Sequence, residues 1–592
     1  MNLARHVASA LLLMTVGVHP TRAATLNVVA GDEGGLIAAI TTANGNGEAD
    51  VINLGGGSYD LTLADNTSAD GPNGLPVVTS DITINGNGAT IRRTGVPTFR
   101  IFQVGTAGAL TLNAVTVSGG SAVTPGGDAG GGIVLTGNTN ALTLIDSTVT
   151  GNAAGTFGGG IALRGSAHTV TLTRTTVSGN TAIAGGGIQC QAVNATLTLD
   201  HSRVTGNQAV STSGGSVDGG GISISGGPIT ISLSDSVVDG NTASSTGDPG
   251  GAQGGGISSS AEATYTILRS ALTNNHAVVQ SGVAAGGGFV DSGGAMVRIA
   301  DSTISGNTAA GSVAFLGGGG IESDSSPAKF DLNNVTITNN QARVGGGIDV
   351  SAGIVALQNS ILAGNSATAG SPECFGSLTS HGHNLLGSTA GCTIASGSGD
   401  VTNPSPLLGP LADNGGATMT HALLSGSPAI NAGDPAAPGS GGTACEATDQ
   451  LGTTRPQGSA CDIGAFEVPV STTTTTLPGC GVRAPTFQSI DCRLDLLIAQ
   501  VQNATDLANL KNTLLKAAMQ ARARKLAAEG LGVTKKKLAK KRLKEAMRKM
   551  VTFNSRLRSL TARKKIPAPT RKSLIDQGTP IQKDMQSLLK SL

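Results

Sequence analysis

Eight polar or charged residues recur at one position of a repeat: Asp146, Arg174, His201, Asp235, Arg269, Asp301, Asn334 and Asn359, each six residues before an Asn. Carboxylates that converge on one face can act as general acid and base, and carboxylates that hold Ca²⁺ beside a basic group can cleave polysaccharides. The best cluster of that kind sets Asp235 and Asp239 on one coil, with Arg269 one coil away. The same stripe also reads as solvated charges of alternating sign, which needs no chemistry. No P-loop, HExxH, GxSxG or CxxC spacing accompanies it. The sequence therefore assigns no catalytic, cofactor-binding or metal-binding residue, and a non-enzymatic role is the expectation.

What must position the stripe is the repeat itself. The Asn residues are 152, 180, 207, 241, 275, 307, 340 and 365. Glycine triplets precede Ile133, Ile161, Ile188, Ile222, Ile257, Phe289, Ile321 and Ile348. Periods of this size mark solenoids, propellers and arrays. Ten, eight and three residues before each Asn, all 24 slots are apolar, as in Val170, Leu172 and Val177 ahead of Asn180. Polar residues lie between the first two columns, which is the period-two alternation of a strand with one buried face. From the residue after the glycines to the Asn the step is 17 to 19 residues, whereas 4 to 12 residues separate the Asn from the next triplet. Strands must keep one length to stay in register, but a turn can lengthen into solvent.

Three short strands per turn therefore predict an all-β, right-handed parallel β-helix. With coils ~4.8 Å apart, ten to twelve of them make a rod of roughly 50 Å. The Asn is expected to serve a left-handed turn and a side-chain amide ladder, and the glycines to sit where backbones crowd or take positive φ.

Of 592 residues, 89 are Gly and none is Trp, yet glycine does not recur at every third position, which excludes collagen. Residues 1–23, with Arg5, an apolar run to about Val18 and small residues to Ala23, read as a secretory signal. No later stretch is apolar enough for a transmembrane span. Export permits disulfides, and proximity points to Cys374–Cys392, Cys445–Cys461 and Cys480–Cys492, although six cysteines allow fifteen connectivities. Cys190 stands apart and is expected to be a small buried apolar residue.

Residues 24–80 carry GGLIAAITTANGNGEADVINL, expected to form an amphipathic helix (Leu36, Ile37, Ile40) and a strand that cap the first coils. This segment resembles the N-terminal portion of secreted bacterial β-helix proteins with a CSLREA-type opening, in pattern rather than in letters. Repeats fill 81–400. Residues 401–470, with NPSPLLGPLADNGG and TDQLGTTRPQGSACDIGAFE, resemble the closing region of choice-of-anchor Q surface proteins. The glycine repeats are similar to those of polymorphic outer-membrane proteins. These resemblances imply an exported or surface β-helix whose Asp449, Arg455, Asp462 and Glu467 make the salt bridges and turns that close the last coils.

A Thr-rich linker (471–479) leads to a small all-α basic domain (480–592). Residues 481–592 hold 25 Lys or Arg against seven Asp or Glu, a net +18, leaving −17 on the rest of the chain. One helix is expected over about 491–529, stopped by Gly530. A second opens at Thr534 and presents Leu543, Met547, Met550, Phe553, Leu557 and Leu560 on one face, and a short last helix opens at Thr579-Pro580. KKKLAKKRLKEAMRK reads either as a solvated face or as an anchor to an anionic envelope component. Nucleic acid is not expected, because no aromatic residues interleave with the charge.

Four long loops (208–218, 242–253, 276–285, 308–317), flexible, small and almost uncharged with Phe315 their one aromatic, would stack along one edge and offer a contact surface. The expected function is an exported, surface-associated scaffold or adhesin-like protein at the outer membrane or outside the cell. Its expected partner is a cell-surface or extracellular protein or glycan. The alternative is a polysaccharide lyase or glycoside hydrolase on the same fold.

Overall fold

Alternating burial turns the apolar columns into strands. In Thr169–Thr173, Val170 and Leu172 point into the core while the threonines between them face out. The computed structural model describes residues 23–123, 128–247, 250–312, 317–469, 486–504, 507, 510–529, 536–559 and 566–591. Expectations resting on residues 1–22, the 471–479 linker, Phe315, Cys480, Gly530, Thr534 and Leu560 lie outside them. The chain divides into two units, Met1–Val468 and Pro469–Leu592.

The first unit is a parallel β-solenoid. One coil runs through Ile161–Leu163, Thr169–Thr173, Thr176–Ser178 and Thr181–Ala182. Ile161 pairs with Ile133 and Ile188, Leu172 with Leu144 and Leu199, and Val177 with Val149 and Val204. None of the 24 column residues exceeds 3% exposure. Each contributes roughly 1.5–3 kcal/mol by burial, which ties the coil to one strand length.

The left-handed residue is the neighbour of the ladder Asn, not the Asn itself. Gly179 (φ 60°), Gly206 (62°) and Asn339 (58°) make that bend, and the following Asn turns its side chain inward, away from solvent. Within the triplet 158–160 each glycine has its own cause. Gly158 has φ 59°, a Cβ on Gly159 would lie 2.5 Å from Gly186 O, and one on Gly160 would lie 3.0 Å from Asn180 Nδ2. All eight stripe residues also have positive φ, between 45° and 54°.

The described parts of the long loops, expected to be flexible, form ordered strands. Gln208–Ser211, Thr242–Ser245 and His276–Val279 stack in register, and Gly215–Asp218, Gly250–Gln253 and Gly282–Ala285 form a separate three-stranded parallel sheet. Small side chains make this stacking feasible, with Ala209, Ala243, Ala252, Ala277 and Val217 filling the thin interior of the edge.

Helix α1 (Glu33–Asn44) opens at Asp32, whose carboxylate accepts the Gly35 N–H at 2.8 Å, and buries Leu36, Ala39, Ile40 and Ala43, while Ile37 stays half-buried. Strand Thr25–Val28, before the helix, pairs in parallel with Asp50–Leu54, which pairs with Asp81–Arg93, so these three start the stack. Disulfides join Cys374 to Cys392 and Cys445 to Cys461. Cys190 is free and buried, and burial pushes its thiol up to about 12.

The second unit is helical: α2 (Phe487–Asn503), α3 (Lys511–Glu529), α4 (Lys536–Arg558) and α5 (Ala568–Ser591). The single helix expected over 491–529 breaks in two, because the chain leaves helical geometry at Ala504 (ψ 127°). Pro580 does not open a helix but lies within α5, where Leu574, Ile581 and Met585 are buried on one face and packing outweighs the lost N–H bond. On α4, Leu543, Met550, Phe553 and Leu557 are buried and Met547 is half-buried. No described helix is long and apolar enough to cross a membrane.

Candidate functional site

The stripe lies at the left-handed bend between the second and third strands of each coil, stacked at coil spacing. Opposite charges on adjacent coils consequently meet. Arg174 donates to both oxygens of Asp146 (2.7 and 2.8 Å), and Arg269 to both oxygens of Asp235 (2.9 and 2.7 Å). The Arg174 guanidinium holds the Asp146 carboxyl below its ordinary value. His201 Nδ1 lies 2.8 Å from Asp200 Oδ1, and Asp200, His201 and Asp235 offer ligand atoms within 4.8 Å of one another. Arg269 already occupies both oxygens of Asp235 there. Asp239, the other carboxylate of that cluster, accepts from Thr273 Oγ1 (2.7 Å) and Asn274 Nδ2 (3.0 Å).

The rest of the stripe is covered. The solenoid strands end at Val401–Thr402, and the following segment folds back along the outside of earlier coils instead of adding coils. It crosses them at Ser270 (from Gln450 Nε2, 3.3 Å), Thr303 (to Gln450 Oε1, 2.6 Å), Ser305 (with His421 Nε2, 2.8 Å) and Asn359 O (from Gly464 N, 2.7 Å). Asn334 Oδ1 accepts the Glu446 N–H, and Asn359 Oδ1 the Asp434 N–H, each at 2.9 Å.

Arg455, fully buried, donates to Glu467 (3.0 Å), to Asp301 (3.4 Å) and to the carbonyls of Asp462 and Gly464. Asp462 accepts the N–H groups of Asn431 and Val468, yet burial still pushes its carboxyl up to about 6. Asp449 accepts the Leu451, Thr453 and Glu467 N–H groups. These four residues therefore clamp the returning segment across the stripe. Two shallow hollows border it. One of about 170 Å³ is lined by Arg203, Thr273, Asp413 and Met419, and one of about 240 Å³ by Lys329, Asp331, Gln358, His381 and Thr443.

Sequence reasoning missed two features. Five residues before the Asn runs a second ladder: Thr175 N donates to Ser202 Oγ (3.1 Å), Ser202 N to Ser236 Oγ (3.0 Å) and Ser236 N to Ser270 Oγ (3.1 Å). Its signal, Ser or Thr in one column, was present in the sequence. Both ladders end on carboxylates, Glu373 receiving Asn365 Nδ2 (2.7 Å) and Asp400 receiving Asn384 N (2.9 Å). The second missed feature is a pair of buried acids, Glu322 and Asp349, each directly after the Ile of a glycine-triplet strand, where other coils carry residues such as Val134, Ser223 or Val290.

No family model, curated protein or solved structure matches the chain.

Proposed function

We propose that the chain is an exported, surface-associated right-handed parallel β-helix scaffold that binds a cell-surface or extracellular protein or glycan along its loop edge. The basic helical unit attaches it electrostatically to an anionic envelope component. The observation that carries this reading is the stacking of the long loops into regular sheet. Among their described residues the titratable side chains are Asp218 and His276 alone. A rigid, nearly uncharged, repetitive edge suits contact over several coils better than bond cleavage. The resemblances to choice-of-anchor Q and CSLREA-type proteins point the same way, as do the Cys374–Cys392 and Cys445–Cys461 disulfides.

The test is cell fractionation of the full chain followed by a high-salt wash, since a charge-held protein is released as screening shortens. Retention of the protein at high salt, or unchanged surface adhesion after deletion of 208–218, overturns the reading. Turnover of pectin, alginate or glycosaminoglycan that Asp235→Ala abolishes would replace it with the polysaccharide-cleaving alternative.

A further inference from the structure

Helix α4 has two unlike sides. Leu543, Ala546, Met550, Phe553 and Leu557 are buried on one of them, packed against α3 and α5. Lys537, Lys541, Lys544 and Arg548 are exposed and recur at steps of four, three and four. At 100° per residue they fall on one line opposite the buried side, over roughly 16 Å of helix, with about 5–6 Å between neighbouring Cβ atoms.

Nothing in the helical unit neutralises that line. Each acid whose side chain is described there is already in an ion pair: Asp495 with Arg522, Asp576 with Lys572 (2.6 Å) and Asp584 with Arg493 (2.7 Å). Glu545, which acts on Lys541 through space, is held by Arg542 (3.1 Å) and Arg524 (3.5 Å). Among the described residues no acid pairs with Lys537, Lys541, Lys544 or Arg548. Like charges four apart on a helix repel, so an anion lying along the row is favoured.

The anions that could lie there ask different things of a helix. A membrane takes an amphipathic helix by its apolar side, sinking it into the acyl boundary. The apolar side of α4 is closed within the bundle, and its exposed Leu538 and Val551 stand about 20 Å apart along the axis. Bases of a single-stranded nucleic acid need aromatic platforms, but Phe553 is buried and Phe487 lies under Lys525. A linear polyanion asks only for cations in line. Lysine ammonium groups on flexible stems suit it, since they impose no fork geometry and accept carboxylate or sulfate alike.

We propose that Lys537, Lys541, Lys544 and Arg548 bind a linear acidic polysaccharide, a chain of uronate or sulfated sugars running along α4. This rests on the reading of the basic unit as an electrostatic attachment and names what it attaches to.

The experiment is calorimetric titration of the full chain with size-fractionated heparin, which carries both uronate and sulfate. Vesicles of phosphatidylcholine and phosphatidylglycerol in equal parts are titrated beside it. With four charges engaged, heparin affinity should fall about 50-fold from about 50 to 200 mM NaCl, and only about sevenfold in the double variant Lys541→Gln/Lys544→Gln. Lys541→Arg/Lys544→Arg keeps the charge and should keep the wild-type salt dependence. So should Lys583→Gln/Lys590→Gln, which removes equal charge from exposed positions of α5. All variants should melt as the wild type does, because the positions are exposed. No heparin binding, an unchanged salt dependence in the α4 glutamine variant, or an equal change in the α5 variant overturns the proposal. Vesicle binding that needs Lys541 and Lys544, with heparin ignored, overturns it while leaving electrostatic attachment intact. Heparin binding by a chain that stays on envelopes through the high-salt wash supports the site and overturns the attachment reading instead.

Discussion

Replacing Asn207 by Ala tests the amide ladder where it is deepest. The side chain is fully buried and makes four hydrogen bonds. Its Nδ2 donates to Val177 O (2.9 Å) and Asn241 Oδ1 (3.0 Å), and its Oδ1 accepts from Asn180 N (3.0 Å) and Asn180 Nδ2 (2.9 Å). Alanine leaves two donors of Asn180 stranded and Val177 O one donor short. At ~1–3 kcal/mol per stranded buried group, the two donors alone give about 2–6 kcal/mol, and a water entering the vacated space brings the loss toward the lower end. Aspartate is the sharper probe. It keeps the acceptors for Asn180 but turns an acceptor toward Val177 O and Asn241 Oδ1, so it should cost more than alanine. With no Trp in the chain, the readout is urea unfolding followed by far-UV circular dichroism, with hydrogen exchange across 177–241 to localise the loss. Half-buried Asp200→Ala, on the outer face of its strand, is the control, expected within ~0.5 kcal/mol of wild type. An Asn207→Ala loss no larger than that control, or an aspartate variant milder than alanine, refutes the ladder as a main source of stability.

Three further outcomes follow from the same structure. Arg269→Ala removes a partly exposed bidentate pair and should cost less than ~1 kcal/mol, measured by the same unfolding series. Arg493→Ala breaks a buried pair with Asp584 (2.7 Å) in the helical unit and should cost about 3–5 kcal/mol in that unit's transition, with the solenoid transition unchanged in calorimetry. Stability of the solenoid should fall as pH rises. Burial lifts Asp349 and Asp462 to about 6, above their unfolded values, so the stability their protonated forms provide is complete below about pH 4 and is lost through about pH 6; a melting series across that range checks it, and its slope should be shallower in Asp349→Asn.

Much of the solenoid was legible because its determinants are local and repeated. A column of aliphatic residues three before the Asn has one physical cause in every coil, so eight copies state it eight times. The ladder could be anticipated for the same reason, although its left-handed residue was assigned one position too late: glycine already occupied that place in most coils, and Asn274 and Asn339 disguise it in the others. The loop strands were not legible. Their alternation is written in Ala, Ser and Gly, whose small hydrophobic contrast carries no period, and they become sheet because neighbours of equal length stack on them. Glu322 and Asp349 were hidden differently. Each is a single acid beside glycines, and only the register that pairs them, across 27 positions of the chain, makes them one feature.

The stripe shows how one column can pass through two different environments. A bend repeated at coil spacing brings each side chain against the equivalent residue above and below, so charges there must alternate or be covered. Asp146 with Arg174 and Asp235 with Arg269 alternate and face solvent. Asp301 has the neutral Asn334 in the next coil, and Arg455, separated from it by 154 positions, donates to it. Beyond it the column turns to Asn334 and Asn359, both fully buried under the returning segment and bonded to its backbone. Amides suit that position because they can donate and accept without a charge to bury. The change from alternating charge to paired Asn therefore marks the footprint of the returning segment. The column records which coils meet water and which meet the chain itself.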